Sequence, residues 1–223
     1  MGFLLQNGFS ASKADVSLFI KHWDNHILLV LIYVDDILVT GSDTGSIASL
    51  IQSMSSIFAV KDLGDLHHFL GLEVHRHSTG IFLSQRRYTM DLLRRAKMDG
   101  AKLISTPMSA SCKLSKSSGG PIFDPLLFRS IVGALQYLTF TRPDIAFAVS
   151  KLCQFLHNPL SKHWMVAKRI LRYLKGTLPF GLHFSPSDTL RLQAFSDADW
   201  AGCLDDRRSQ SGFCIFMGHN LIS

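Results

Sequence analysis

Hydrophobic and polar positions along the chain follow two periodicities, one typical of strands and one typical of helices. The run at 27–34 is apolar without alternation, which predicts a strand covered on both faces. Asp35 and Asp36 interrupt this run and an apolar segment at 37–39 resumes it. This pattern predicts a hairpin with two carboxylates at its tip. Apolar residues at helical spacing over 47–57 then predict an amphipathic helix.

A second hairpin and a group of helices follow. Alternating apolar positions around 72–74 and 81–83 predict the hairpin, and Ser84 is placed to cap the helix that runs towards Lys97. The segment 106–125 is rich in Ser, Gly, Pro and Lys, which predicts a linker. The later pattern predicts helices at 126–138, 144–156 and 161–175 and strands at 190–195 and 212–217. These elements together predict an α+β fold.

Composition and charge narrow the class of protein. The chain is 47% hydrophobic and 18% charged, which is typical of a globular protein rather than a disordered one. Its net charge of +6 favours an anionic partner such as nucleic acid, although a basic surface without a partner is an equal alternative. No apolar run approaches the roughly 20 residues of a membrane span, and Met1 begins no recognisable leader. We therefore expect an intracellular protein without a membrane partner.

The tetrapeptide Tyr33-Val34-Asp35-Asp36 carries the clearest chemistry. Adjacent carboxylates beside an apolar strand repel each other and resist desolvation, and a divalent cation such as Mg²⁺ relieves both effects. Successive strand residues point to opposite faces, so we expect the two acids to have unequal roles. The matching reaction is nucleotidyl transfer assisted by two metal ions. A solvated Asp-Asp turn is the alternative, and the tetrapeptide alone does not decide between them.

The tetrapeptide belongs to a collinear series of motifs. These include Leu29-Val30-Leu31-Ile32 and Ile37-Leu38-Val39-Thr40-Gly41 around it, then Lys61-Asp62-Leu63-Gly64, Phe69-Leu70-Gly71-Leu72-Glu73-Val74, Leu83-Ser84-Gln85, Ser105-Thr106-Pro107-Met108, Thr141-Arg142-Pro143-Asp144-Ile145 and Ser196-Asp197-Ala198-Asp199-Trp200. The series resembles the reverse transcriptase of copia-type LTR retrotransposon polyproteins over nearly the whole chain.

The resemblance implies an RNA-directed DNA polymerase followed by a ribonuclease H domain. It divides the chain into a partial palm with the primer-grip region at 1–107, a linker at 108–125, a helical thumb or connection at 126–185 and a truncated ribonuclease H-like hairpin at 186–223. It also implies Mg²⁺ or Mn²⁺ as cofactor, and an RNA template and a DNA primer as partners. A preceding polymerase segment would supply a third carboxylate and the fingers. We therefore expect this chain alone not to polymerise; the alternative function is non-catalytic, nonspecific nucleic-acid binding.

The same resemblance gives roles to three acids. Asp35 and Asp36 correspond to catalytic metal ligands of the palm, and Asp197 corresponds to the first metal-binding acid of ribonuclease H. Tyr33 would lie beneath the primer end, or simply in the core.

Basic and imidazole side chains supply further candidates. Lys168, Arg172 and Lys175 recur at helical spacing, and Arg86 and Arg87 begin a second basic stretch. We interpret both as candidate contacts to phosphates, with an ordinary solvated helix face as the alternative. A zinc site is a weak further option, because the histidines that would form it lack a completing Cys or acid at clear spacing. These histidines are His67, His68, His75 and His77.

Overall fold

The computed structural model describes residues 2–117 and 119–223 and divides the chain into two compact units, which end and begin at Phe69 and Leu70. The predicted linker includes Ser118, which lies outside the described residues. Helices and antiparallel sheets occupy separate stretches of sequence, which confirms the α+β fold class. Among the described residues, no helix combines the length and the apolar character needed to cross a lipid bilayer.

The first unit is an antiparallel sheet with helices against it. Its elements are α1 (Gly2–Gln6), β1 (Ser10–Ala11), β2 (Leu18–Trp23), β3 (His26–Tyr33), β4 (Asp36–Gly41), α2 (Thr44–Ile57) and β5 (His68–Phe69). Strands β1 to β4 pair in sequence order. Asp43 caps α2 by accepting a hydrogen bond from the Ser46 backbone N–H at 2.7 Å, and this hydrogen bonding lowers the pKa of the Asp43 carboxyl.

Strand β3 has one well-buried face. Leu28 and Val30 are buried in a cluster with Phe19 of β2 and with Leu50 and Met54 of α2. The intervening residues of β3, at 27, 29 and 31, are only half-buried. The predicted cover on both faces is therefore complete on one face and only partial on the other. A continuous apolar run does not reveal how much cover each face receives, because strand residues alternate between faces whatever their polarity.

The second unit combines a helical core with two small sheets. Its elements are β6 (Leu72–His77), β7 (Gly80–Ser84), α3 (Arg86–Arg95), α4 (Pro125–Leu138), a 3₁₀ turn (Pro143–Ile145), α5 (Ala146–Cys153), α6 (Ser161–Gly176), β8 (Leu182–Phe184), β9 (Leu192–Ala198), β10 (Ser211–Met217) and β11 (Asn220–Leu221). Strands β6, β7 and β8 are antiparallel neighbours, and β10 pairs with both β9 and β11.

Four helices form the main core of this unit. Large side chains of α4 and α6, including Phe128, Leu135, Ile170 and Leu174, are fully buried in one cluster with residues of α3 and α5. Apolar residues at helical spacing predicted α4 and α6 to within one residue at each end. The helix expected at 144–156 is divided instead into the 3₁₀ turn and α5, and it ends at Cys153.

The cap of α3 differs from the sequence prediction. Ser84 lies at the end of β7, and Gln85 immediately precedes the helix without a capping side-chain bond. Instead, Glu73 of β6 accepts a hydrogen bond from the Arg87 backbone N–H at 2.7 Å. A carboxylate at a helix N-terminus satisfies an N–H group that has no partner within the helix. The predicted Ser84 cap was wrong because the paired strand brings Glu73, distant in sequence, to the helix end.

Candidate functional site

The hairpin formed by β3 and β4 places the two acids in different backbone environments. The register pairs Ile32 with Ile37 and Tyr33 with Asp36, so that Val34 and Asp35 form a two-residue turn. Asp35 therefore occupies the turn itself, whereas Asp36 is the first residue of β4. The sequence predicted both acids at the tip of the hairpin. The strand pairing shows that their side chains leave the backbone in different directions.

The turn is strained at Val34. This residue has φ 51° and is 81% exposed, whereas Asp35 does not have positive φ. A two-residue hairpin turn with positive φ at its first position alone is of type II′, where glycine is preferred. A β-branched residue in this region carries a steric cost, because its Cβ approaches the neighbouring backbone. The pairing of β3 with β4 on either side holds the turn in this conformation. It therefore fixes the backbone position of Asp35.

The carboxylates of Asp35 and Asp36 are open to a ligand. Both residues are exposed, and neither side chain accepts a hydrogen bond or forms an ion pair with the residues that the structure describes. Free carboxylate oxygens suit a hard divalent cation. Within residues 2–117 and 119–223, however, no three His, Cys, Asp or Glu side chains are grouped to hold a metal. The pair therefore fits part of a metal site.

Tyr33 shares the face of the hairpin that carries Asp36. The two residues are direct cross-strand partners, and Tyr33 is 49% exposed. Cross-strand partners project to the same side of a sheet. The core alternative for Tyr33 was therefore wrong, and its phenol ring is accessible beside one of the candidate acids.

Strand β9 of the second unit carries the third candidate acid. Asp197 is exposed, and its carboxylate accepts a hydrogen bond from the backbone N–H of its neighbour Ala198 at 2.9 Å. Asp199 is used differently, since it accepts from the Gln210 N–H at 2.6 Å and pairs with Lys151 at 3.7 Å. The carboxylate of Asp197 is therefore more accessible than that of Asp199. Asp199 instead links the two strands of the hairpin through Gln210 and pairs with Lys151.

The chain is similar in sequence to known retroelement proteins. The family described as reverse transcriptase (RNA-dependent DNA polymerase) matches residues 1–110. The Pol polyprotein from transposon RE2 of Arabidopsis thaliana is 48% identical over 99% of this chain, and that from transposon TNT 1-94 of Nicotiana tabacum is 37% identical over 99%. An uncharacterized mitochondrial protein of A. thaliana is 48% identical over 88% of this chain and 81% of its own length. This chain belongs to the copia-type reverse transcriptase family.

The chain spans 15% of the RE2 polyprotein and 17% of the TNT 1-94 polyprotein. No solved structure is significantly similar to it. Membership of the family implies a divalent metal in the intact enzyme and nucleic acid as its substrate.

The candidate basic residues of this chain fall into two groups. Arg86 and Arg87 at the start of α3 are exposed, and so is Lys168 of α6. Arg172 and Lys175 are half-buried, and they donate hydrogen bonds to the backbone carbonyls of Lys102 at 2.7 Å and Ala101 at 2.9 Å. These two side chains therefore bind the preceding segment of their own chain. Helical periodicity shows which face carries the charges but not what lies against that face.

In the described part of the chain, the four candidate histidines are not grouped as a zinc site. No group of three metal-binding side chains occurs among the described residues. His75 lies 3.8 Å from the carboxylate of Glu73, while its ring contacts Phe82 on the neighbouring strand. His75 and His77 lie on one face of β6, but the described residues bring no third ligand to them.

The sequence did not predict a buried ionic network around Arg142. Arg142 is 3% exposed and binds Asp144 through two hydrogen bonds of 2.7 and 2.9 Å, and it also donates to Thr177. Tyr173 donates its hydroxyl to Asp144 at 2.7 Å. Burial alone would raise the pKa of Asp144, but the bonds from Arg142 and Tyr173 outweigh burial and lower it. The Arg-Pro-Asp triplet in the sequence was the available signal, and its role is to join the 3₁₀ turn to α6.

Proposed function

We propose that this chain contributes the two adjacent palm carboxylates of an RNA-directed DNA polymerase. The observation that carries the proposal is the pair of exposed, unpaired acids, Asp35 and Asp36, on a hairpin whose opposite face is buried. A buried face restricts the motion of the strands, and a restricted scaffold keeps ligands at defined positions. The family membership makes nucleotidyl transfer the reaction to which such a pair belongs.

Each residue of the hairpin has a distinct part in this proposal. Asp35 and Asp36 would hold a divalent cation, Mg²⁺ or Mn²⁺, together with an acid from elsewhere in the intact enzyme. Bound there, the cation would stabilise the negative charge that develops during phosphoryl transfer. The strained turn at Val34 directs Asp35, pairing with Tyr33 directs Asp36, and the exposed Tyr33 ring would support the primer end.

The RNA template and DNA primer would contact the basic side chains of the second unit. Arg86, Arg87 and Lys168 are exposed and suited to phosphates, which are recognised without regard to sequence. Arg172 uses one of its five N–H donors on Lys102 in the described structure, so the others are available to a phosphate. Lys175 likewise keeps donors beyond its bond to Ala101. We further propose that Asp197 is the first metal-binding acid of a ribonuclease H-like domain that begins near residue 186.

The test is a chimera in which this chain replaces its matching segment of the RE2 Pol polyprotein, with the unaltered polyprotein as reference. We expect RNA-templated primer extension in the presence of Mg²⁺. Asp35→Asn should reduce extension by about a hundredfold or more, because loss of a metal ligand removes several kcal/mol of charge stabilisation. Asp15→Asn is the matched control, since Asp15 is an exposed acid of the same unit whose carboxylate accepts, among the described residues, only from the nearby Ser17 N–H.

Full extension by the Asp35→Asn chimera would contradict the proposed metal ligand. The 223-residue chain tested alone should not extend a primer, because the described residues bring no third acid to the pair. Measurable extension by the chain alone would refute that expectation.

Nonspecific nucleic-acid binding without catalysis is the second candidate function. The net charge of +6 and the exposed Arg86 and Arg87 favour it. Under this alternative, the chain binds a primer–template duplex with a strong salt dependence, whereas its chimera does not extend the primer.

A further inference from the structure

Leu70 and Gly71 form the turn that leads into strand β6. Leu70 has φ 49° and Gly71 has φ 72°, so two successive residues lie in the left-handed region directly before Leu72 begins the strand. Glycine adopts this conformation readily, but a leucine does so only at a steric cost. Such a residue persists where its surroundings hold it in place.

Tyr137 of α4 contacts both residues of this segment. Its hydroxyl donates a hydrogen bond to the Leu70 carbonyl oxygen. A Cβ atom added to Gly71 would lie 3.0 Å from the same hydroxyl oxygen, which is closer than ordinary van der Waals contact. The absence of a side chain at Gly71 therefore allows the phenol to approach the strained backbone.

The Tyr137 ring is itself held by aromatic neighbours. It packs edge-on against Tyr88 of α3 with ring centroids 5.1 Å apart, and against Phe140 at 5.8 Å. Edge-on aromatic pairs have a defined geometry and restrict the orientation of the ring. The helical core thus fixes the position from which the hydroxyl reaches Leu70.

The segment held by Tyr137 leads into the β6–β7 hairpin, which carries the exposed Arg76. His75, Arg76 and His77 of β6 are exposed, and Glu73 of the same strand caps the helix that begins with Arg86 and Arg87. A displacement at residues 70–71 would be transmitted along β6, because the strand continues from them and pairs with β7 from Glu73 onwards. The conformation at Leu70 therefore sets the position and direction of the first residues of β6.

We propose that Tyr137 is a positioning residue that fixes the Leu70–Gly71 segment and, through it, the β6–β7 hairpin for contact with the primer strand. The role in primer contact rests on the proposed polymerase function. The hydroxyl is the essential group, since the ring alone would satisfy the aromatic packing. A phenylalanine at this position would keep the contacts to Tyr88 and Phe140 and lose the bond to Leu70.

The test compares Tyr137→Phe with the matched variant Tyr173→Phe in the full 223-residue chain. Each substitution removes one phenolic hydroxyl from a helix of the same core, and Tyr173 donates to Asp144 rather than to the hairpin entry. Amide hydrogen exchange is measured at residues 71–74, and affinity for a fluorescent RNA–DNA primer–template is measured by anisotropy at constant salt.

Tyr137→Phe should accelerate exchange at 71–74 and weaken duplex affinity about fivefold, which is the usual effect of losing one hydrogen bond. Tyr173→Phe should leave both quantities unchanged. Exchange at 71–74 that is the same in Tyr137→Phe and wild type would overturn the positioning role, whether or not the duplex binds. Faster exchange with unchanged duplex affinity would overturn the link to the primer.

A double-mutant cycle with Gly71→Ala gives an independent readout. Alanine is strained at this φ in either background, but its Cβ meets the hydroxyl only when Tyr137 is present. We therefore expect Gly71→Ala to accelerate exchange at 72–74 more in the wild-type background than in Tyr137→Phe. Purely additive effects would contradict the contact.

Failure of the wild-type chain to bind any duplex would instead refute the proposed nucleic-acid function, and it would be visible before any variant is made.

Discussion

The β3–β4 and β9–β10 hairpins both carry candidate metal-binding acids, yet they differ in how their strands are covered. In β3, Leu28 and Val30 are buried with side chains from β2 and α2. In β9, all seven residues are exposed. A two-stranded hairpin has little stability of its own, so the packing of one face decides how rigid the acids are. The same type of acidic site can therefore lie on scaffolds of very different rigidity.

The β9–β10 hairpin is attached to its unit largely by polar contacts. Lys151 of α5 pairs with Asp199, Gln210 donates to the Phe147 carbonyl oxygen at 3.3 Å, and the Lys116 N–H donates to Asp205 at 2.9 Å. Individual polar contacts at a surface contribute little and are sensitive to salt and pH. The comparison predicts that solution conditions will affect this hairpin more than the β3–β4 hairpin.

The largest expected contrast is between Phe19 of β2, which packs against the β3–β4 hairpin, and Phe213 of the β9–β10 hairpin. Phe19→Ala removes a fully buried ring that faces Val30, and it should cost about 3–5 kcal/mol in the free energy of unfolding of the first unit. Phe213→Ala removes an exposed ring of β10 and should cost less than about 1 kcal/mol. Urea unfolding measures both. Equal costs in unfolding free energy would show that β9 and β10 are buried to the same extent as β3.

The next effect is a pH dependence of stability in the second unit, near the β9–β10 hairpin. His163 is fully buried, accepts from the Leu160 N–H at Nδ1 and therefore donates from Nε2 to the Ser115 carbonyl oxygen. Burial lowers the pKa of His163, so the unfolded chain binds its proton more readily than the folded one. Stability from this site is present above the ordinary histidine pKa and is lost as pH falls, by at most about 1.4 kcal/mol per pH unit.

Amide exchange between pH 7 and pH 5.5, corrected for its intrinsic pH dependence, tests this expectation. Protection should decrease around Ser115 and the 199–210 loop that Lys116 contacts, and it should be unchanged in β3. His163→Gln should remove the pH dependence. An equal loss of protection in both hairpins would contradict the assignment.

A smaller effect is expected at the strained turn. Val34→Gly should stabilise the first unit by about 0.5 kcal/mol, because relief of left-handed strain exceeds the added freedom of glycine in the unfolded chain. Arg207→Gly, at φ 59° in the loop between β9 and β10, is the matched control and should change stability less, because arginine is not β-branched. Thermal unfolding compares them. Destabilisation by Val34→Gly would mean that the valine side chain makes a compensating contact.

The smallest effect concerns the ion pair between Lys151 of α5 and Asp199, the residue that follows β9. Lys151→Met keeps an aliphatic stem near Phe147 but removes the charge beside Asp199, and it should cost only a few tenths of a kcal/mol. The cost should disappear at high salt, because screening weakens the pair in the wild type as well. A large loss of stability that persists at high salt would contradict this expectation. It would show that Lys151 contributes more than a screened surface ion pair with Asp199.

Sequence periodicity predicted much of the secondary structure. Strand β3, helix α4 and helix α6 begin and end within one residue of the predicted positions, because their apolar side chains meet the core at regular intervals. The division between the 3₁₀ turn and α5 was not predicted. There, Asp144 is bound by Arg142 and by Tyr173 from α6, and a bond to a residue 29 positions away leaves no periodic trace.

The sequence by itself determined the family, the α+β class and the adjacency of Asp35 and Asp36, since these depend on residue identity, short-range spacing and collinear motifs. Only the tertiary structure decided that Asp36 pairs with Tyr33 while Asp35 lies in the turn, that Glu73 caps α3, and that Arg172 and Lys175 bind the segment before them. Each of those outcomes depends on strand register or on contacts between distant residues. Their free energies come from geometry that folding creates, so no local pattern in the chain records them.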